Sequence, residues 1–309
     1  MRRAAGCAVA AVAVVGWAGA SVLRSAPTEA QSPVAEIRRV QHAEFTPAMS
    51  RRRPVFVLVL GSDARPGEEV DRLHADSIHI VSLNAQRRAG AVVGIPRDSY
   101  VSIPGHGQSR INDAMVEGGP ELQVRTVEQL TGITLDYYLL TSFPGLVNLV
   151  NGVGGITVPV PYPMRDGASG TDFDAGRRHL SGAEALAFSR DRHSGAYGDF
   201  NRSFNQGILI HAALKEMRSQ VRRDPAKLLK WMAVGMRDID ADIPVGDLFD
   251  LAATAVQVRP TQVRNAVVPG SPGFAGAASV VFLDSRANAI FRDLRDDGLL
   301  EADVRPRSS

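Results

Sequence analysis

Arg190, Arg192, Arg202 and Gln206 stand close together in the chain, in residue types and spacings that suit an oligo-phosphate. Arg190 and Arg192 are two apart, so an extended segment sends both guanidinium groups to the same side. Arg202 and Gln206 are four apart at the head of an apolar pattern (Phe204, Ile208, Leu209, Ala212, Ala213), so a helix puts them on one face. Each guanidinium can give a phosphate two parallel, charge-assisted hydrogen bonds that a lysine cannot copy. An exposed basic loop would account for any single one of these arginines. Upstream, however, lie Gly61-Ser62-Asp63-Ala64-Arg65, His74-Ala75-Asp76-Ser77 and Ile95-Pro96-Arg97-Asp98-Ser99, each at the border of an apolar run.

Those runs are the elements that must position the charges. Val55 to Leu60 is a continuous apolar stretch with β-branched valines at alternate positions, of the kind buried on both faces of a sheet, and it ends in the turn-forming Gly61-Ser62-Asp63. Ser77 to Leu83 and Ala91 to Ile95 are two further strands, joined by the polar connection Asn84 to Gly90. Hairpin pairing then brings Asp76 and Arg97 to neighbouring strand ends. Asp63 and Asp76 reach a common point at one sheet edge, the place where open α/β sheets hold ligands. Two carboxylates with phosphate oxygens suit Mg2+, although a turn cap would explain Asp63 alone. Asp98, beside Arg97, either acts as a general base or pins the guanidinium; the sequence leaves both open.

Helical periodicity runs through Pro120 to Leu130, Ser142 to Val150, Ser181 to Phe188, Asn205 to Arg218 and Asn288 to Leu294. Strand-like stretches at Asp136 to Leu140, Ile156 to Val160, Val263 to Val268 and Val280 to Leu283 interleave with them. The expected fold class is α/β, a single mixed central β-sheet flanked by helices, preceded by an N-terminal transmembrane helix. Met1-Arg2-Arg3 precedes an uncharged run from Ala4 to Leu23, close to the ~20 residues a spanning helix needs, and the positive-inside rule places the rest of the chain outside the cell membrane. A signal peptide cut near Ala18-Gly19-Ala20 is the alternative, and would release a secreted domain. Residues 1–24 are thus the anchor or signal, 25–53 a linker rich in Ala, Pro, Ser and Gln, and 54–309 the extracytoplasmic domain, with its core motifs in 54–219.

The remainder of the composition excludes several classes. A net charge of +2 over 309 residues is too small for nucleic-acid binding by bulk electrostatics, so no nucleic-acid partner is expected. Cys7 is the single cysteine, which rules out an internal disulfide and a thiolate metal cluster. The seven histidines are scattered without zinc spacing. There is no nucleophile elbow, P-loop or dinucleotide fingerprint; Gly152-Val153-Gly154-Gly155 precedes a strand and reads as a turn. An arginine-rich anion site beside paired carboxylates is what remains, and phosphoryl transfer is the chemistry in which such positioning and charge neutralisation carry most of the catalysis.

Gly61-Ser62-Asp63, Asp76-Ser77, Ile95-Pro96-Arg97-Asp98, Arg110-Ile111-Asn112, Glu117-Gly118-Gly119, Ser189-Arg190-Asp191-Arg192 and Gly198-Asp199-Phe200-Asn201-Arg202 occur in the order seen in the LytR-CpsA-Psr family, which the chain resembles over about residues 54–219. The resemblance implies an anchored phosphotransferase that moves a glycopolymer, such as teichoic acid, capsular polysaccharide or arabinogalactan, from a polyprenyl-pyrophosphate carrier onto a peptidoglycan acceptor. It implies that Arg97, Arg190, Arg192 and Arg202, with Gln206, grip the pyrophosphate, and that Asp63 and Asp76 hold Mg2+. Arg65 and Arg110 are further candidate pyrophosphate ligands, and Asp76, Arg97, Asp98, Arg190 and Arg192 the candidate catalytic set. The prenyl tail is expected to lie along Tyr137 to Val150 and Phe204 to Leu214. The chain departs from the family pattern at His74, where Arg is usual, and at Arg110, where Lys is usual. A carrier pyrophosphate hydrolase, with water in place of the sugar hydroxyl, and a non-catalytic carrier-binding scaffold are the competing functions.

Overall fold

Val55 to Leu60 becomes the inner strand of a seven-stranded mixed sheet. The computed structural model describes residues 35–40, 53–65, 67–237, 239–242 and 245–301. In chain order the strands and helices begin with β1 (Ala35–Arg39), β2 (Val55–Ser62), β3 (Ala75–Asn84), β4 (Ala89–Gly94) and the small hairpin β5 (Tyr100–Ile103) and β6 (Gly107–Arg110). There follow α1 (Asp113–Thr131), β7 (Tyr137–Thr141), α2 (Phe143–Gly152), β8 (Ile156–Val160), the hairpin β9 (Met164–Asp166) and β10 (Thr171–Phe173), then β11 (Gly176–Leu180), α3 (Gly182–Arg190) and α4 (Asp199–Arg223). The chain closes with α5 (Lys227–Arg237), β12 (Ile239–Asp242), α6 (Val245–Gln257), β13 (Val263–Val267), the hairpin β14 (Gly270–Ala275) and β15 (Ala278–Leu283), and α7 (Ser285–Asp297).

The central sheet has the order β12-β1-β7-β2-β3-β4-β13. Its inner strands run β7 parallel to β2, β2 antiparallel to β3 and β3 antiparallel to β4. Side chains alternate across a strand, and β2 uses the alternation on both faces. Phe56, Leu58 and Leu60 share one apolar cluster with Met115, Val124 and Val127 of α1 and with Phe291 and Leu294 of α7. Val55 and Val57 face the other way, into a cluster with Met217 and Val221 of α4 and Leu251 and Ala255 of α6. Leu58 and Leu60 have no exposure, and burial of each contributes about 1.5–3 kcal/mol. A third cluster, beside the sheet, joins Phe188 of α3, Val158 of β8, Met164 of β9 and Leu209 of α4; it fastens the β9–β10 hairpin to the segment that carries the arginines.

The expected mixed sheet flanked by helices is present, and several element limits differ. Ala35–Arg39 lies within the expected linker yet forms a strand between β12 and β7. Only Ile37 of its five residues is a large apolar one, so the segment carries no periodic signal; the open edge of β7 supplies the pairing. The helix expected from Pro120 starts at Asp113 and bends at Gly118 and Gly119, where Gly119 adopts φ 67°, a conformation in which a side chain would be strained. Arg190 ends helix α3 rather than lying in an extended segment. The expected membrane span at residues 4–23 falls outside the described residues; no helix among the described residues is long and apolar enough to cross a membrane.

One end of the sheet collects the functional groups. The register sets Gly61 opposite Ser77 on β3 and opposite Thr141 on β7, with a bulge at Gly61/Ser62 that re-aims the chain before Asp63. His79 stands opposite Gly94, which places Arg97 just past the end of β4. A Cβ at Gly94 would collide with Ser203 Oγ and lie 2.8 Å from His79 Nε2, so glycine is what lets the first turns of α4 sit on the end of β4.

Candidate active site

A cavity of about 400 Å³ opens at that sheet end. Asp63 and Arg65 follow β2, Asp76 and Ser77 come from β3, Arg97 from the turn after β4, and Arg190 and Arg192 from the end of α3 and the loop beyond. Arg202 and Gln206 project together from successive turns of α4, as their spacing predicts. Val59, Leu60, Phe143, Leu146, Leu209 and Ile210 add apolar side chains to the lining. Four of those six come from the two segments expected to line a prenyl groove.

Asp199 organises the arginines. Its carboxylate is 2.9 Å from Arg192 Nε, 3.3 Å from Arg202 Nη2 and 3.7 Å from Arg97 Nε. Arg97 also donates to Asp76 Oδ1, which ties the β4 turn to the start of β3 as the hairpin requires. Arg202 is 7% exposed, and a guanidinium so deeply placed is tolerable only with a charged partner. Burial works against the charge of Asp199, but Arg202, a hydrogen bond from Asp98, Arg192 and Arg97 outweigh it and hold the carboxyl below the usual range. Asp98 is shifted the other way: burial, the hydrogen bond shared with Asp199 and the neighbouring Asp199 charge raise its carboxyl above the usual range, against the pull of Arg97 and Arg110.

Arg190 is placed differently. Its guanidinium stacks 5.2 Å from the Phe143 ring and, among the described residues, has no carboxylate within ion-pair reach. Its donors are therefore open to a ligand. Gln206 Nε2 donates to the carbonyl of Ser189, 3.2 Å away, which holds the amide against the end of α3.

Asp63 and Asp76 line the same wall. Burial and the charge of Asp76 raise the Asp63 carboxyl, and Asp63 Oδ1 is a buried oxygen without a hydrogen-bond partner. Both observations fit a cation between them. Among the described residues no group of three or more His, Cys, Asp or Glu side chains gathers as a metal cage, so a ligand would have to supply the remaining oxygens.

Two expected site residues stand back from the cavity wall. Arg110 is 3.1 Å from Asp113 and 3.8 Å from Asp98, and Asp98 itself packs behind Arg97. His74, the departure from the family pattern, is 3.4 Å from Asp113 and is likewise absent from the lining.

The LytR_cpsA_psr family model matches residues 20–295. The chain belongs to the LytR-CpsA-Psr family. It is 37% identical over 172 residues, 55% of each chain, to a Bacillus mycoides protein named polyisoprenyl-teichoic acid–peptidoglycan teichoic acid transferase TagU. The chain thus spans about half the length of the curated relatives it matches. The crystal structure of Bacillus subtilis TagV superposes with a TM-score of 0.68 at 26% identity, covering 81% of this chain and 98% of that one. A relative named TagT, solved with a bound octaprenyl pyrophosphate lipid, superposes with a TM-score of 0.63 at 22% identity over 84% of this chain and 94% of that one; that likeness supports the fold.

Within this family member, Asp199, Asp166, Ser169 and His193 were not among the residues expected at the site. Asp199 had a signal, since it stands three residues before Arg202 at the head of a helix and so shares its face. Asp166 and Ser169 sit in a short hairpin of three-residue strands, and nothing in Met164-Arg165-Asp166 marks a site. Only the packing of that hairpin against the arginine loop brings them to the cavity.

Proposed function

We propose that the protein is a phosphotransferase that moves a glycopolymer from a polyprenyl-pyrophosphate carrier onto a peptidoglycan hydroxyl. The observation that carries this reading is a single cavity whose lining combines Arg97, Arg190, Arg192, Arg202 and Gln206 with the apolar side chains of Val59, Leu60, Phe143, Leu146, Leu209 and Ile210. A ligand with an oligo-phosphate head and a hydrocarbon tail satisfies both kinds of lining at once. The family and the name of the TagU relative support the same reading.

In this reaction the arginines first bind the head group, each by paired hydrogen bonds. Asp199 keeps Arg97, Arg192 and Arg202 apart and aimed, so little reorganisation is needed when charge builds on the departing prenyl phosphate. Arg190, free of a carboxylate, has its donors available for the same oxygens. Asp98 holds Arg97 and Arg110 from behind, at 3.8 Å from each, which favours the pinning role over contact with the reactants. Asp63 and Asp76 would hold Mg2+, whose charge would offset that of the pyrophosphate.

The test is transfer from a lipid-pyrophosphate-linked sugar to a peptidoglycan oligomer. Acceptor-dependent product is expected; sugar phosphate released at the same rate without acceptor would make the protein a hydrolase instead. Mg2+ is expected to bind weakly to the free protein and tightly with a prenyl pyrophosphate present, because two carboxylates alone leave most of its coordination to other oxygens. Titration calorimetry would check this, and an Asp76→Ala variant with unchanged carrier-dependent Mg2+ binding would remove the assignment.

Anchoring of residues 1–24 in the cell membrane, with the catalytic domain outside, belongs to the same proposal. A reporter fused after Ser309 is expected to be active only on the outer side; a cytoplasmic signal would overturn that placement.

A further inference from the structure

Asp166 and His193 form a second polar pair on the cavity wall, outside the arginine cluster and the carboxylate pair. His193 Nδ1 is 3.0 Å from Asp166 Oδ2. Asp166 is 5% exposed and also accepts from the backbone amides of Ala168 at 2.9 Å and Arg192 at 3.3 Å. Burial alone would disfavour its charge, yet the His193 hydrogen bond and the two amides prevail and keep its carboxyl well below the usual range. A carboxylate so fixed accepts only from a protonated Nδ1, which leaves Nε2 as the basic nitrogen of a neutral ring. Among the described residues no group is hydrogen-bonded to Nε2, and the side chain is 67% exposed where the cavity meets solvent.

The loop that carries His193 is held rigidly. Buried Asp191 accepts from Thr171 Oγ1 at 2.7 Å, from Ser194 Oγ at 2.6 Å and from the Ser194 amide at 3.2 Å. Ser194 Oγ in turn accepts from the Arg165 amide at 2.7 Å, so β9, β10 and the arginine loop form one unit. Asp166 is the charged partner of the ring, and Arg190 at the end of α3 and Arg192 in the same loop line the same cavity. Arg165, the hairpin's cation, is engaged by Asp172 at 2.8 Å and Asp174 at 2.5 Å.

A carboxylate bonded to one ring nitrogen, with the other nitrogen open at the entrance of a phosphate-binding cavity, is the arrangement that removes a proton from an attacking hydroxyl. We infer that His193, positioned by Asp166, is the general base that activates the acceptor hydroxyl. This rests on the transferase reading. The hydroxyl oxygen bonds to the phosphorus that carries the polymer, its proton passes to Nε2, and the bond from that phosphorus to the bridging oxygen breaks. The electron pair leaves with the prenyl phosphate, and the imidazolium returns its proton to solvent.

The experiment uses the full-length protein in detergent with a lipid-pyrophosphate-linked sugar and a short peptidoglycan oligomer. His193→Gln is a change at a largely exposed position and should fold; it is expected to lower acceptor-dependent transfer by roughly 100- to 10,000-fold. The pH dependence of the wild-type rate should be altered in the variant. Carrier affinity should stay near that of wild type, and His193→Ala should regain part of its rate with added imidazole. Transfer by His193→Gln at the wild-type rate would overturn the assignment. So would a loss of carrier binding that matches the loss of rate with no imidazole rescue, since that describes an anion ligand. Wild-type protein without acceptor-dependent transfer would instead sink the transferase reading, and this inference with it.

Discussion

Replacing Arg190 with lysine is expected to slow transfer by roughly 100- to 1,000-fold, about 2.7–4 kcal/mol in the transition state, while carrier affinity falls far less. Lysine preserves the charge and loses the planar fork, so a substrate held mainly by charge remains bound. What disappears is the second hydrogen bond to oxygens whose charge grows as the prenyl phosphate departs, and an interaction stronger in the transition state than in the ground state acts on the rate. Arg190 is the informative position because its guanidinium rests on the Phe143 ring without a carboxylate partner among the described residues. The measurement is single-turnover transfer beside equilibrium carrier binding on one preparation. A parallel decline of both quantities would describe a binding scaffold.

The second large effect concerns stability and its recovery by an anion. Asp199→Ala leaves Arg97, Arg192 and the buried Arg202 facing one another without the carboxylate that separates them. Removal of one member of a buried ion network typically costs about 3–5 kcal/mol, and the arginines lose their common aim. The expected result is a large drop in the thermal midpoint together with loss of transfer. Inorganic pyrophosphate should restore much of the midpoint, because its charge substitutes for that of Asp199 and binding to the folded state alone stabilises it. A variant with the wild-type midpoint would show that the arginines do not need Asp199. The same carboxylate has a defined pH dependence. Its folded value lies below the ordinary one, so its contribution is complete above a pH of about 4 and is lost as acidity carries the pH down through the folded value.

The sequence by itself determined the inner sheet and one half of the cavity. Continuous apolar runs at Val55 to Leu60, Ser77 to Leu83 and Ala91 to Ile95, with a hairpin-length polar link, are enough to place Asp76 beside Arg97, and their ion pair follows from that pairing. Helical spacing likewise fixed the joint projection of Arg202 and Gln206. These are local consequences of a two-residue or 3.6-residue period, which the chain carries in every window.

Tertiary structure decided what depends on distant partners. Ala35–Arg39 is a strand because β7 and β12 offer it hydrogen bonds, and its own residues have no such preference. Arg190 was expected in an extended segment, but the capping box of Ser181 and Glu184 starts a helix that continues through it, so its guanidinium leaves against Phe143 rather than beside Arg192. The approach of Arg97 to Asp199, and of the β9–β10 hairpin to the loop that carries His193, joins residues far apart in sequence. Such charges are brought together by packed apolar surface. The clusters around Phe188, Val158 and Met164 position the hairpin, and no spacing between Asp166 and His193 could announce it.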